Sequence, residues 1–410
     1  MTLEESFLRL WHELEPLGRN CVTGGYNRFA WTAEDDQLRT WFRTQAARRD
    51  MTVVDDRNGN QWAWWGEPGS GAVVTGSHLD SVPEGGAYDG PLGVVSGFLA
   101  VDELRADMDA GAPPPANPVA VVRFADEEGA RFGVACVGSR LLTGVLDPQR
   151  ARELRDADGV TLADAMRAAG ADPDRLGRDD EALSRIGAFV ELHVEQGRGL
   201  VDAPAPIGTA TVVRPHGRWR MSFTGRADHA GTTRLADRAD PTLPFAVTVQ
   251  AAREAAEHAG GLATISKARI EPGGTNGIAA RVHAWLDARG PDDVAVHAIV
   301  EQILGAAQAA AAAHGVSVEF AEESFTPIVE FDPALGTRLR DVLGAAYDGL
   351  PALPSGAGHD AGILAAVVPS AMLFVRNPTG VSHSPAESAD LADCIDGVRA
   401  LQAVLKDLAC

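Results

Sequence analysis

Cysteine is scarce in this chain: four residues in 410 (Cys21, Cys136, Cys394 and Cys410), widely spaced and without a CxxC pair. That pattern excludes a disulfide scaffold or a zinc knuckle and indicates a reducing compartment. Basic charge is also short. Lys and Arg number 36 against 57 Asp and Glu, a formal net charge of −21. An acidic surface argues against nucleic acid and against an anionic membrane as partners. It leaves room for a small anionic substrate, because a site can be locally positive. No apolar run approaches the ~20 residues of a membrane span. The start, Met1-Thr-Leu-Glu-Glu-Ser6, is acidic and lacks the apolar core of a signal peptide. The expectation is a cytoplasmic protein with no membrane partner. Internal repeats and long disordered tracts are absent as well.

What is present is an ordinary globular composition, 45% hydrophobic and 23% charged, and a length that suits two or three domains. Phe7, Leu8, Leu10, Trp11 and Leu14 recur at helical spacing and predict a helix over residues 4–17. Thr32-Ala-Glu-Asp35 resembles a capping box opening a second helix. Asn58-Gly59 joins two predicted strands, 51–54 and 61–65, as a hairpin. Strands at 72–75, 119–125 and 189–193 alternate with helical stretches, the signature of a mostly parallel α/β sheet. Between residues 211 and 323 the order becomes β-α-β-β-α-β, the ferredoxin-like unit. The α/β pattern resumes after Pro327, with helix 333–347, strand 371–374 and helix 391–409. The expected domains are therefore residues 1–210 with 325–410, discontinuous, and an insert over 211–324. The alanine-rich stretch 306–313 is explained by helix propensity alone.

Four clusters carry chemistry. Val73-Val-Thr-Gly-Ser-His-Leu-Asp-Ser-Val82 puts His78 and Asp80 at the end of a buried strand. Asp89 follows in a loop with Gly85, Gly86 and Gly90. Histidine and carboxylate at a strand's carboxyl end suit a divalent metal. Asp126-Glu-Glu-Gly129 follows another buried strand. Neighbouring side chains there point to opposite sides, so one can ligate while the other serves as a base toward water. A solvated acidic turn is the competing reading. Glu191-Leu-His-Val-Glu-Gln-Gly197 offers His193, and Val381-Ser-His-Ser-Pro-Ala-Glu387 offers His383. Each of these histidines alone reads as a core or surface residue. Together His78, Asp89, Glu128, His193 and His383 make ligands for two ions sharing one carboxylate.

The same text, with Asp228-His-Ala-Gly-Thr-Thr233 and Gly356-Ala-Gly-His-Asp-Ala361, resembles the allantoate amidohydrolase and N-carbamoyl-L-amino-acid hydrolase family of aminoacylase-like dinuclear metallohydrolases. The likeness runs in order through nearly the whole chain. It implies a zinc-exopeptidase-like catalytic domain with an inserted ferredoxin-like lid and dimerisation domain, and a homodimer. It implies two divalent ions, Zn²⁺ or Mn²⁺. His78 and His193 would bind one, Glu128 and His383 the other, with Asp89 as the bridge. Glu127 would be the general base, and Asp80 would orient His78. His229, Asn276 and Arg289 would reach the substrate, with Arg289 on its carboxylate. Gln196, Arg218 and Gly358 are further substrate-contact candidates. Two positions depart from the family: Arg234 and Ala279 stand where many relatives have proline. These bear on the substrate and leave the reaction type as it is.

The implied reaction is hydrolysis of a ureido or amide C–N bond beside a carboxylate, foremost allantoate to ureidoglycine, carbon dioxide and ammonia. The alternative substrate is an N-carbamoyl- or N-formyl-L-amino acid. A peptidase of the wider superfamily and a non-catalytic binding protein are the remaining readings.

Overall fold

The computed structural model describes residues 1–344, 346–347 and 349–410. The chain forms two compact units, Met1–Val213 with Glu330–Cys410, and Arg214–Val329. In the first unit the strands begin with β1 (Thr52–Asp55), β2 (Gln61–Trp65), β3 (Ala72–His78), β4 (Val119–Phe124), β5 (Ile186–Val194) and β6 (Ile207–Val213). The second contains β7 (His216–Thr224), β8 (Asp228–His229), β9 (Leu262–Glu271), β10 (Gly277–Ile278), β11 (Arg281–Arg289) and β12 (Ser317–Thr326). After β13 (Val329–Glu330) at the changeover, the first unit adds β14 (Ala352–Ser355) and β15 (Ser370–Val375).

The sequence pattern predicts a mostly parallel sheet, and the sheet of the first unit is mixed. Strands β4, β3, β5 and β15 are parallel neighbours in that order. The hairpin β1–β2 adds antiparallel pairing on β4, and β6 pairs antiparallel with β15. The parallel centre is buried end to end: β3, β4 and β15 have no exposed residue. Such strands read as unbroken apolar runs because helices cover both faces. Strands β6 and β14 escape the sequence reading, being rich in Gly, Thr, Ala and Pro.

Helix ends follow local chemistry. Thr2 and Glu5 form a capping box on the helix Leu3–Leu14, which stops short of the predicted residue 17. The helix after β3 spans Pro91–Asp109, longer at both ends than its apolar pattern, with Pro91 in its first turn. The last helix covers Leu391–Ala409 as predicted. The helix expected over 333–347 runs Pro333–Gly344, and position 345 lies outside the described residues. The polar stretch 147–186 holds short helices over a small core in which Leu162, Met166 and Leu176 join Trp31, Phe132 and Leu141.

The second unit is a four-stranded antiparallel sheet, β12-β7-β11-β9, with helices Thr242–Ala259 and Asp293–Ala313 on one face. The chain order is β-α-β-β-α-β. Asp293–Ala313 has 21 residues and a mean hydropathy of 1.3, long and apolar enough by length and composition to cross a membrane. In the structure Val296, Ile299, Ile303 and Ala307 pack its inner side on Trp219, Met221 and Leu286 of the sheet.

Buried charge sets two tests of the first unit. Arg123 of β4 and Asp35 form an ion pair with both side chains buried, and Asp35 also accepts the Trp31 N–H at 3.0 Å. Asp35→Ala leaves a buried guanidinium uncompensated and should lower unfolding stability by about 3–5 kcal/mol in urea titration. Asp56, in the β1–β2 turn, is pushed up to about 6 by burial, against hydrogen bonds from Asn60, Asn58 and Trp62. It therefore holds its proton more tightly folded than unfolded. Its stabilising contribution is full below pH 4 and is lost as pH rises toward 6. The stability difference, wild type minus Asp56→Asn, should fall by roughly 2–3 kcal/mol from pH 4 to pH 7. A difference that stays level or grows would refute this.

Candidate metal centre

Parallel neighbours end on the same sheet edge, so the carboxyl ends of β3, β4, β5 and β15 gather their following residues. His78 closes β3, Glu127 and Glu128 follow β4, His193 lies near the end of β5, and His383 follows β15. Asp89 sits immediately before the helix Pro91–Asp109. Gly90, at φ +85°, is required there because a Cβ would come within 2.5 Å of the His78 ring.

Asp89 divides its two oxygens. Oδ1 lies 3.5 Å from His78 Nε2 and 3.2 Å from His193 Nε2. Oδ2 lies 3.4 Å from His383 Nε2, which is 3.7 Å from Glu128 Oε2. Two three-residue groups result, His78–Asp89–His193 and Asp89–Glu128–His383, each with its donor atoms within 4.8 Å of one another. All five predicted ligands are thus brought together with Asp89 common to both groups. Of the five, His383 is the most open, its side chain 51% exposed.

The protons are arranged for a cation. His78 Nδ1 pairs with the Asp80 carbonyl at 3.1 Å and His193 Nδ1 with the Val194 carbonyl at 2.9 Å. A carbonyl only accepts, so each Nδ1 carries a proton and each Nε2 is the ring nitrogen turned toward Asp89. His193 Nε2 and Glu128 Oε1 are buried without a hydrogen-bond partner. Ring nitrogens facing carboxylate oxygens across 3.2–3.5 Å leave room for a cation between them. Mixed imidazole and carboxylate donors suit a divalent ion, so the residues fit the implied metals.

Burial raises Glu128 to about 8, with Asp89 adding to the effect. Burial also raises Glu127 well above the carboxylate range, as do Asp360, Glu128 and Asp80, against the pull of His78. These shifts belong to acids crowded together, and a bound cation reverses their sign. Glu127 joins neither three-residue group. Its Oε2 lies 3.7 Å from His78 Nε2.

Asp80 holds its Oδ1 3.7 Å from His78 Nδ1, beside the ring it is expected to orient, and does more. Its carboxylate takes the backbone N–H groups of Glu127 (3.2 Å) and Glu128 (2.9 Å), while its main-chain oxygen holds His78. Gln196 falls at the centre, donating to Asp89 Oδ2 at 2.8 Å and Ser382 Oγ at 3.1 Å. Sequence reasoning gave no role to Glu387, whose Oε1 accepts the N–H groups of Tyr88 (2.8 Å) and Asp89 (3.0 Å). It likewise missed Glu191, which accepts from Ser77 Oγ and the Ala361 N–H, and His359, whose ring lies 4.6 Å from that of His193. A glutamate inside an apolar strand was the available signal for Glu191. Gly358 is exposed beside His359.

The other predicted contacts lie in the second unit and form two groups. In the β8–β10 ribbon His229 pairs with Gly277, and the Ala230 N–H donates to the Asn276 carbonyl at 3.0 Å. His229 Nδ1 accepts the Gly231 N–H at 3.0 Å, which leaves its proton on Nε2 as an outward donor. On β7 and β11, Arg218 and Arg289 meet around Asp287, at 3.7 and 2.9 Å. Replacing Asp89 with Ala removes the residue common to both ligand groups. The variant should retain less than a tenth of the wild-type divalent metal after dialysis, measured by elemental analysis, since even outer-shell changes weaken metal binding about 10–100-fold.

The model of peptidase family M20/M25/M40 matches residues 74–407. An N-carbamoyl-L-amino acid amidohydrolase of Geobacillus stearothermophilus is 35% identical over 98% of both chains. An allantoate amidohydrolase of Escherichia coli K12 is 29% identical over 94% of this chain and 93% of that one. A crystal structure of a hydantoinase/carbamoylase family amidase from Burkholderia vietnamiensis superposes with a TM-score of 0.87 at 29% identity, covering 99% of this chain and 97% of the other. The chain belongs to peptidase family M20/M25/M40 and, within it, to the amidohydrolases of the carbamoylase and allantoate amidohydrolase kind, hydrolases of non-peptide C–N bonds.

Proposed function

We propose that this protein is a two-metal amidohydrolase that removes the carbamoyl group from an N-carbamoyl-L-amino acid, giving the amino acid, carbon dioxide and ammonia. The single observation that carries the reading is Asp89, whose two oxygens face two separate ligand groups beside the unliganded Glu127. His78 and His193 would hold one ion, Glu128 and His383 the other, with Zn²⁺ and Mn²⁺ both suited to these donors. Such a pair, when bound, supplies the Lewis acidity that polarises the carbonyl and lowers the pKa of water.

The chain's own groups do the rest. Glu127 takes the proton of the attacking water and returns it to the leaving nitrogen. His229, with its proton on Nε2, donates to the developing oxyanion. Arg289, with Arg218 beside it, is assigned the substrate carboxylate, and Asn276, Gln196 and Gly358 further substrate contacts. The insert is read as a lid and dimer contact. Exposed Leu243 and Val247, one helical turn apart, and Leu262 on the edge strand β9 supply apolar surface for a second copy.

Allantoate is the second substrate reading, placed first by the sequence likeness. The carbamoylase relative at 35% identity supports the first reading and the allantoate enzyme at 29% the second. Glu127→Gln should keep its metal content and lose about 10²–10⁴-fold in kcat on whichever ureide the wild type hydrolyses. Ammonia release from a panel of N-carbamoyl amino acids, N-formyl amino acids and allantoate, with Mn²⁺ or Zn²⁺ supplied, assigns the substrate. No turnover of any ureide would overturn the reading.

A further inference from the structure

The mechanism leaves one buried nucleophilic side chain unused. Cys136 is 2% exposed, and its Sγ lies 3.2 Å from Glu127 Oε1 in donor geometry. A thiol is a weak donor at neutral pH, and a carboxylate is its strongest kind of acceptor. Oε1 is therefore occupied from the protein side, while Oε2 is the oxygen near His78 Nε2, at 3.7 Å.

The backbone fixes the thiol in turn. Cys136 adopts a left-handed conformation, φ 56° and ψ 39°, immediately before the helix Val137–Thr143. Its N–H donates to the Glu127 carbonyl at 2.6 Å. The next two N–H groups, of Val137 and Gly138, reach the carbonyls of Asp126 and Ala125 at 3.0 and 2.9 Å. Successive amides thus clamp the turn that carries Glu127, itself opened by a left-handed Asp126 at φ 54°. Non-glycine residues adopt such angles at a cost of order 1–3 kcal/mol and hold them where the surroundings over-determine them. The clamp would hold the main chain without any side chain at 136. The thiol adds a hold on one carboxylate oxygen.

We propose that Cys136 is a positioning residue for the proton-transferring carboxylate: its thiol holds Glu127 Oε1, so that Oε2 faces the metal-ligand groups. This rests on the reading of Glu127 as the base. A carboxylate turns freely about its last torsion unless one oxygen is held, and small misplacement of a catalytic group costs rate without changing substrate affinity.

The test compares Cys136→Ser, which keeps a donor, with Cys136→Ala, which does not, alongside Glu127→Gln. All are assayed as the full-length, metal-loaded protein. Cys136→Ala should lose about tenfold or more in kcat, with KM, bound metal and melting temperature near wild type. Cys136→Ser should recover to within about threefold of wild type. If the Ala variant does not fold, Cys136→Gly takes its place, because glycine accepts the left-handed backbone without strain. Equal loss in the Ser and Ala variants, or wild-type kcat in the Ala variant, overturns the inference. Full activity in Glu127→Gln would instead overturn the assignment of the base, a failure separable from that of Cys136.

Discussion

Everything in the first unit is arranged around a concentration of buried carboxylates that water does not solvate. Asp80, Asp89, Glu127, Glu191 and Glu387 are all buried. Uncompensated, such charges cost several kcal/mol each. The fold answers with backbone dipoles. Asp80 takes the amides of 127 and 128, Glu387 those of 88 and 89, and Glu191 that of 361. Each of these acids is thereby a scaffold for the segment beside it. Among the acids that backbone amides leave uncompensated are Asp89 and Glu128, with three imidazole nitrogens around them, a set that suits a divalent cation.

The central parallel strands make this convergence possible. Because β4, β3, β5 and β15 run the same way, residues far apart in sequence emerge on one edge. Asp126, Cys136 and His383 sit in left-handed backbone at the turns that carry these groups. The second unit contributes a different kind of chemistry. Arg218 and Arg289 share Asp287, and a β-ribbon presents His229 as a hydrogen donor. Neutral donors and fork-shaped cations suit oxyanions and carboxylates, whereas the imidazole–carboxylate groups of the first unit suit metals. The two kinds of group are segregated by unit.

Much of this was legible in the residues. The candidate ligand set was readable because its histidines and acids stand at, or in the loops that follow, the ends of apolar runs. Strand ends are where a chain can expose function without disturbing its core. The ferredoxin-like succession was readable because apolar spacing changes from one period to the other at each element. Strands β6 and β14 were not, since small residues and proline give no alternation to detect. Nor was the mixed character of the sheet, because strand direction depends on which strands become neighbours. The helix Asp293–Ala313 was legible as the second helix of the ferredoxin-like succession, its alanines giving it high helix propensity.

By itself, then, the sequence determined which side chains are candidates for metal binding and proton transfer and which secondary elements carry them, because residue type and periodicity are local properties. Only the tertiary structure decided that Asp89 offers one oxygen to each group and that the Asp80 carboxylate braces the Glu127–Glu128 turn. It also decided that a cysteine nine residues away from Glu127 touches it. Those are relations between atoms on segments that meet after folding, and their distances are fixed by strand pairing and burial that no local pattern encodes.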